Sequence, residues 1–230
     1  MAPEVGGTGP CVGLLELASI AAGLRTVDGL SKQATITLLQ ARAVSPGKYV
    51  ILFEGPVEEV SSALTRGQEV GGEHLLDRLF IPNLEPTLLG LVQTAAGGGT
   101  ARLAHDEPLD ALGVIETLSI ASTIRAADLA SKQASLRLVA LQLAVGIGGK
   151  SWVAFTGEVS DVEAGVDVGS ADAEAAGLLV ERVVIPRPHE HVAELLGAEP
   201  GTIARGNGVH GDGSGGGAGG AAGGGGAGAP

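Results

Sequence analysis

The spacing of apolar and polar residues predicts alternating strands and helices in the first part of the chain. Val12–Leu17 is an apolar run broken by a single glutamate, which is typical of a buried strand. In Leu24–Ala34, Leu24, Val27 and Leu30 recur at helical spacing and indicate an amphipathic helix. The elements predicted after it are strands over Thr35–Val44 and Tyr49–Phe53, a helix over Val57–Gly71, a strand over Leu75–Ile81 and a short helix near Pro86–Leu91.

The same order of elements recurs because the sequence repeats itself. Gly13–Glu16 is similar to Gly113–Glu116, and half of the positions over Gly13–Ala34 are identical to those 100 residues further on. The offset grows to 102 and then 104 residues, which indicates small insertions in loops. Strand, helix, strand, strand, helix, strand is the ferredoxin-like order. We therefore predict an α+β fold with two tandem ferredoxin-like (βαββαβ plus short helix) domains, over 12–91 and 112–197.

Glycine marks the segments that lie between and after these two domains. The segment 92–111 contains Gly97–Gly99 and is predicted to be a flexible linker. Half of the residues from Gly201 to Pro230 are glycine, so this stretch cannot bury enough apolar surface to fold. We therefore predict a disordered glycine-rich tail over 198–230.

The composition excludes several classes of partner. The 230 residues include 26 acidic and 14 basic side chains, and the net charge of -12 repels the phosphates of nucleic acids and anionic membrane surfaces. Cys11 is the only cysteine, which excludes an internal disulfide and an all-cysteine metal site within one chain. There is no run of 18 apolar residues and no signal-peptide pattern. Together with the net charge, these features lead us to expect neither nucleic acid nor a membrane as partner.

Few residues suggest catalysis or a cofactor. Glu16 and Glu116 recur inside an apolar strand, either as catalytic acids or, as we favour, as carboxylates hydrogen-bonded within each fold. His189 and His191 have the spacing of two metal ligands without an evident third. Gly146–Lys150 resembles a phosphate loop but precedes a strand rather than a helix. We therefore predict no enzyme activity, no catalytic residue, no metal and no cofactor.

Two lysines occupy equivalent places in the repeat. Lys32 and Lys132 each follow an aspartate by four residues on a predicted helix. The residues alone leave two hypotheses open: a solvated helix face with a weak ion pair, or an interaction edge that is used twice because the domain occurs twice.

The ordered set of motifs in both copies resembles the shell proteins of bacterial microcompartments. The second copy carries Ala111–Glu116, Ala126–Asp128, Lys132, Thr156–Val159 and Val184–His189. The first copy carries Gly13–Glu16, Asp28, Lys32, Ser45–Lys48, Gly55 and Ile81–Pro82. Together these motifs span Val12–Gly197, as in tandem-domain members of the family.

This resemblance implies a structural protein of a bacterial microcompartment shell in the cytoplasm. Tandem-domain members form homotrimers, in which three chains give a pseudo-hexameric tile. Such tiles join edge to edge with other shell proteins, namely hexameric tiles and pentameric vertices. The Gly-x-x-Glu strand opens each copy here, which is the unpermuted order and implies a single-layer tile.

The resemblance also assigns roles to individual residues. Lys32 and Lys132 would lie along the tile edge, together with Arg187 of the Ile-Pro-Arg-Pro-His motif. Asn83 stands in the first copy where that arginine is expected, so alternate edges would differ.

The loop between the second and third strands lines the central pore in this family. That role carries onto Ser45, Pro46 and Gly47 in the first copy and onto Ile147, Gly148 and Gly149 in the second. Small residues let six loops approach one axis and leave backbone amides free, which favours small polar or anionic metabolites. Lys48 and Lys150 either add positive potential at the pore or point away along the strand.

Some tandem members hold an iron–sulfur cluster through a cysteine in the pore loop. Ser45 stands before Pro46 here, so we predict no such cluster. The alternative to a shell tile is a tandem ferredoxin-like regulatory module that binds a small molecule between its domains. An acid-base enzyme using Glu16 or Glu116 would need those carboxylates in a pocket that solvent reaches.

Overall fold

The computed structural model describes residues 9–103, 109–133 and 135–197 of the chain. The first copy consists of β1 Cys11–Leu17, α1 Ile20–Gln33, β2 Thr37–Val44, β3 Lys48–Gly55, α2 Val57–Gly71, β4 Leu75–Ile81 and α3 Pro86–Ala96. A short strand follows, β5 Thr100–Arg102. The second copy consists of β6 Ala111–Thr117, α4 Ile120–Gln133, β7 Arg137–Leu143, β8 Ser151–Gly157, α5 Val159–Ala175, β9 Leu179–Pro186 and α6 Glu190–Gly197.

Each copy contains one antiparallel sheet. The strand order is β2-β3-β1-β4 in the first copy and β5-β7-β8-β6-β9 in the second. The first strand of each copy lies between the third and the fourth, which is the ferredoxin-like arrangement, so the predicted fold class is confirmed.

The glycine of the Gly-x-x-Glu motif is explained by packing in both sheets. Gly13 lies opposite Phe53 and Gly113 lies opposite Phe155. A Cβ atom at Gly13 would lie 2.6 Å from the Phe53 ring, and one at Gly113 would lie 2.5 Å from the Phe155 ring. Both rings are fully buried, so the missing side chain makes room for the largest core residues.

Helix α1 begins four residues before the predicted start at Leu24. Ser19 caps it, since the Ser19 hydroxyl accepts a hydrogen bond of 3.3 Å from the backbone N–H of Ala22. The predicted start depended on the helical spacing of apolar residues, which becomes regular only from Leu24.

The end of one helix and a whole strand lie inside the segment predicted as a flexible linker, 92–111. Helix α3 continues to Ala96, and β5 pairs with β7, where Thr100 lies opposite Gln142. This part of the segment therefore has regular structure. The predicted tail over 198–230 lies outside the described residues, and the exact domain limits remain predictions.

The two copies share a hydrophobic core. Leu84, Leu88 and Leu91 from the α3 region pack with buried residues of both sheets and of α4. A second cluster lies between the first sheet and its own helices, and a third lies under α6. None of the helices in the described part of the chain is both long and apolar enough to cross a membrane.

Candidate functional site

The junction between the two copies is built around Glu16. This carboxylate is 0% exposed, and its Oε1 accepts hydrogen bonds of 2.8 Å from the Ala121 N–H and from the Ser119 hydroxyl. These donors lie at the start of α4, where backbone N–H groups lack partners within the helix. Glu16 of the first copy therefore caps a helix of the second copy, and its negative charge suits that helix end.

Lys48 completes this arrangement. Its Nζ lies 3.4 Å from Glu16 Oε2 and donates a hydrogen bond of 2.8 Å to the carbonyl of Leu118. Burial raises the pKa of Glu16, and nearby Asp77 raises it further, whereas the hydrogen bonds from Ala121 and Ser119 and the charge of Lys48 oppose the shift. We expect the partners of Glu16 within its own fold, and Lys48 lies there, but the structure places the donors Ser119 and Ala121 in the other domain.

A second row of contacts extends the junction along β4. Asp77 accepts a hydrogen bond of 3.0 Å from the Ser122 hydroxyl and shares with Glu16 the single proton of the Ser119 hydroxyl. The Arg125 guanidinium donates to the carbonyl of Arg78 at 2.7 Å. Helix α4 is therefore held to the first copy by polar contacts along its length as well as by the shared core.

The two lysines predicted at the tile edge have different surroundings. Lys132 pairs with Asp128 at 2.7 Å and donates to the carbonyl of Asn83 at 2.5 Å. Lys32 pairs with Asp28 at 2.7 Å, and both side chains are exposed. The structure thus brings Lys132 and Asn83 together at the junction within the chain and leaves Lys32 on an open face.

The other predicted surface residues lie near the end of β9. Arg187 is exposed, has a φ of +49°, and its N–H donates to the carbonyl of Asp110 at 2.7 Å. The rings of His189 and His191 lie 4.7 Å apart. Over 9–103, 109–133 and 135–197, no group of three or more His, Cys, Asp or Glu residues has the arrangement of a metal site.

The two predicted pore loops lie side by side. Ser45–Gly47 joins β2 to β3, and Ile147–Gly149 lies between β7 and β8. A Cβ atom on Gly149 would lie 2.5 Å from Cδ of Pro46, so the loops are in close contact. Gly149 also has a φ of +82°, which favours glycine. The fold therefore brings the two turns of one chain to the same place.

Arg42 supplies the positive charge beside these loops. A groove of about 360 Å³ is lined by Arg42, Val145 and the Ser45–Gly47 turn. Lys48 and Lys150 instead pair with Glu16 and Glu116, at 3.4 and 3.1 Å, which answers the question of where they point.

The sequence analysis missed Arg42, because the equivalent position in the second copy is Gln142 and the repeat gives no signal there. Partial burial lowers the pKa of the Arg42 guanidinium, and its buried Nε has no hydrogen-bond partner among the described residues. A guanidinium stays charged at neutral pH, and this one has a free donor near the loops.

Comparisons with known proteins identify the family. A family model described as BMC domain matches the chain twice, at residues 11–84 and 111–188. The bacterial microcompartment shell protein PduT of Citrobacter freundii is 39% identical over 179 residues, covering 78% of this chain and 93% of that protein. The shell protein EutM of Salmonella typhimurium strain LT2 is 38% identical over 89 residues, which cover 38% of this chain and 90% of EutM.

A solved structure agrees with these relatives. The crystal structure of a microcompartment protein from Desulfitobacterium hafniense DCB has a TM-score of 0.67 and 40% identity, covering 81% of this chain and 99% of that one. The chain therefore belongs to the BMC-domain family and carries the domain twice, as the resemblance predicted. The family is structural and non-enzymatic, and these relatives do not favour the alternative of a regulatory module.

Proposed function

We propose that this microcompartment shell protein works as a homotrimeric, pseudo-hexagonal tile with a central pore. The observation that carries the proposal is an exposed surface of the first copy that corresponds, in the repeat, to the buried surface of the second copy at the junction. Leu24 on α1 is 57% exposed, whereas its counterpart Ile124 on α4 is 0% exposed, because α4 packs against the first copy. The helix face that is buried on α4 is therefore exposed on α1.

The complementary half of the open junction lies on α6 of the second copy. Leu195 on α6 is 68% exposed, whereas its counterpart Leu91 on α3 is 2% exposed. The described residues of each chain therefore form one filled junction and leave two unfilled halves of the same kind. Head-to-tail joining of such halves generates a closed ring when the rotation closes, and six similar wedges from three chains would close it.

The repeat specifies the contacts expected between chains. Glu116 would accept hydrogen bonds from Ser19 and the Ala21 N–H of the next chain, as Glu16 does from Ser119 and Ala121. Lys32 would donate to the carbonyl of Arg187 of the next chain, as Lys132 donates to Asn83. The side chains of Lys32, Lys132, Arg187 and Asn83 would then lie near the rim, where hexameric tiles and pentameric vertices join.

Closure of the ring would gather six turns around one axis. The contact between Gly149 and Pro46 supports this arrangement, because the two turns of one chain are already neighbours. The pore would then be lined by Ser45, Pro46, Gly47, Ile147, Gly148 and Gly149. Arg42 in the adjacent groove would favour small polar or anionic metabolites. The proposed role requires no catalytic residue.

Native mass spectrometry and negative-stain electron microscopy test the proposal. We expect a mass of three chains and a six-sided particle with a central hole. A monomer, or an assembly in which the two turns lie far from the symmetry axis, would contradict it.

A further inference from the structure

A pocket lined by two arginines lies beside the junction and takes no part in the proposed pore or tile edge. It has a volume of about 360 Å³ and lies between α2, β4 and the α4 helix of the second copy. Arg78 and Arg125 supply two guanidinium groups, and Ser61 and Thr65 supply two hydroxyl groups. Such a concentration of donors is unusual on a chain whose net charge is -12.

Both arginines have only neutral partners among the described residues. Arg78 donates to the side-chain oxygen of Gln68, and Arg125 donates to the carbonyl of Arg78 at 2.7 Å. A guanidinium has five N–H donors, so most of the donors in this pocket remain free. Asp77 precedes Arg78 in β4, but successive side chains of a strand point to opposite faces, and the Asp77 carboxylate binds Ser119 and Ser122.

The second copy provides an internal comparison. Arg182, the counterpart of Arg78, lies 3.4 Å from an Asp167 carboxylate oxygen and 3.8 Å from one of Glu174, and donates to the Ser170 hydroxyl at 2.8 Å. The repeat aligns Asp167 with Thr65 and Glu174 with Gly72. The same framework therefore neutralises its arginine in one copy, whereas in the other copy no described residue supplies a counter-ion.

We propose that the Arg78–Arg125 pocket binds the phosphate group of a small phosphorylated molecule. Guanidinium forks match the oxygens of a phosphate, which accept hydrogen bonds. The pocket lining contains no carboxylate that would repel the negative charge of the phosphate. Two positive charges balance the dianion, and the hydroxyl of Ser61 adds a neutral donor, whereas the Thr65 hydroxyl already donates to the Ser61 carbonyl at 3.0 Å. The site needs only one chain, so it does not depend on the trimer.

Titration calorimetry of the full chain with inorganic phosphate at low ionic strength tests this site. Wild type should bind phosphate, and Thr65→Asp should weaken binding about tenfold or more, because it restores the carboxylate found in the second copy. Thr94→Asp is the matched control, since Thr94 is also an exposed helical threonine bonded to the carbonyl four residues before it. It adds the same charge elsewhere and should leave binding unchanged.

A second pair of variants keeps the test independent of folding defects. Arg78→Ala should lose phosphate binding, whereas Arg182→Ala should retain it. Thermal melts of every variant, followed by circular dichroism, establish that each one is folded. The proposal is overturned if wild type releases no binding heat, if Thr65→Asp binds as wild type does, or if Arg182→Ala loses as much affinity as Arg78→Ala.

Discussion

Glu16 and Glu116 occupy the same place in the same motif but have different environments. Glu16 is 0% exposed and caps α4, whereas the Glu116 side chain is 30% exposed and pairs with Lys150 at 3.1 Å. Both sit at the centre of a sheet with an identical register toward the neighbouring strands. The difference arises because the second copy covers Glu16, whereas the described residues leave Glu116 partly open to solvent. In a duplicated protein, burial is set by the neighbour and not by the motif.

Helices α1 and α4 follow the same rule. They share the Ser-Ile-Ala start and the Ser-Lys-Gln end, but the buried residues of α1 are Ala22, Gly23, Thr26 and Leu30, whereas those of α4 also include Ile120 and Ile124. The added buried residues of α4 face the first copy. Helix α1 therefore has an apolar strip that the described residues of its own chain leave uncovered.

The largest expected effect comes from charges placed on these two helices. Ile124→Asp buries a carboxylate in the shared core and should destabilise the fold by about 3–5 kcal/mol or more. Leu24→Asp places the same charge on the open face, so the chain should fold normally but fail to form trimers. Chemical unfolding measures the first effect, and native mass spectrometry measures the second. Trimers that persist in Leu24→Asp would show that this face is not the interface.

The pH dependence of stability should report on the buried Glu16. The pKa of Glu16 is raised in the folded state, so its favourable contribution is complete below the ordinary pKa of a glutamate and is lost as the pH rises through the raised value. Unfolding free energy should therefore fall with pH in this window, by at most about 1.4 kcal/mol per pH unit. Glu16→Gln should remove this slope.

Urea unfolding at a series of pH values measures the slope. Lys48 and Asp77, the charged groups that face Glu16, remain in both proteins, so they do not account for a difference. Equal slopes in wild type and Glu16→Gln would mean that Glu16 does not bind the proton.

The smallest effect on chain stability is expected at the lysines. Lys32→Ala removes an exposed ion pair worth a few tenths of a kcal/mol, roughly, whereas Lys132→Ala also removes the bond to Asn83 and should destabilise by about 1 kcal/mol. The double variant should still form trimers but should form sheets or shells poorly, as seen by electron microscopy. Normal assembly of the double variant would count against the edge role.

Much of the fold follows from local sequence. The order of elements, the α+β class and the repeat are written in the spacing of apolar residues and in motifs such as Gly13–Glu16. The hairpin at Ser45–Gly47 is likewise signalled by its proline and glycine. These features depend on contacts between residues near in sequence or on a pattern that occurs twice, so the amino-acid sequence is enough to find them.

What the sequence did not reveal depends on contacts distant in sequence. Leu24 belongs to a helical apolar stripe and yet is exposed, because periodicity marks an apolar face without naming what covers it. The partners of Glu16 and the pocket formed by Arg78 and Arg125 require two domains to meet, and β5 inside the predicted linker forms by pairing with β7, about 40 residues further along the chain.

The sequence by itself therefore determined which domain is built and that it is built twice. Only the tertiary structure decided which copy of each motif is buried, charged or open. The physical reason is that the spacing of apolar and hydrogen-bonding residues is set within a few residues of the sequence. Burial and electrostatic pairing instead depend on which surfaces the fold brings into contact.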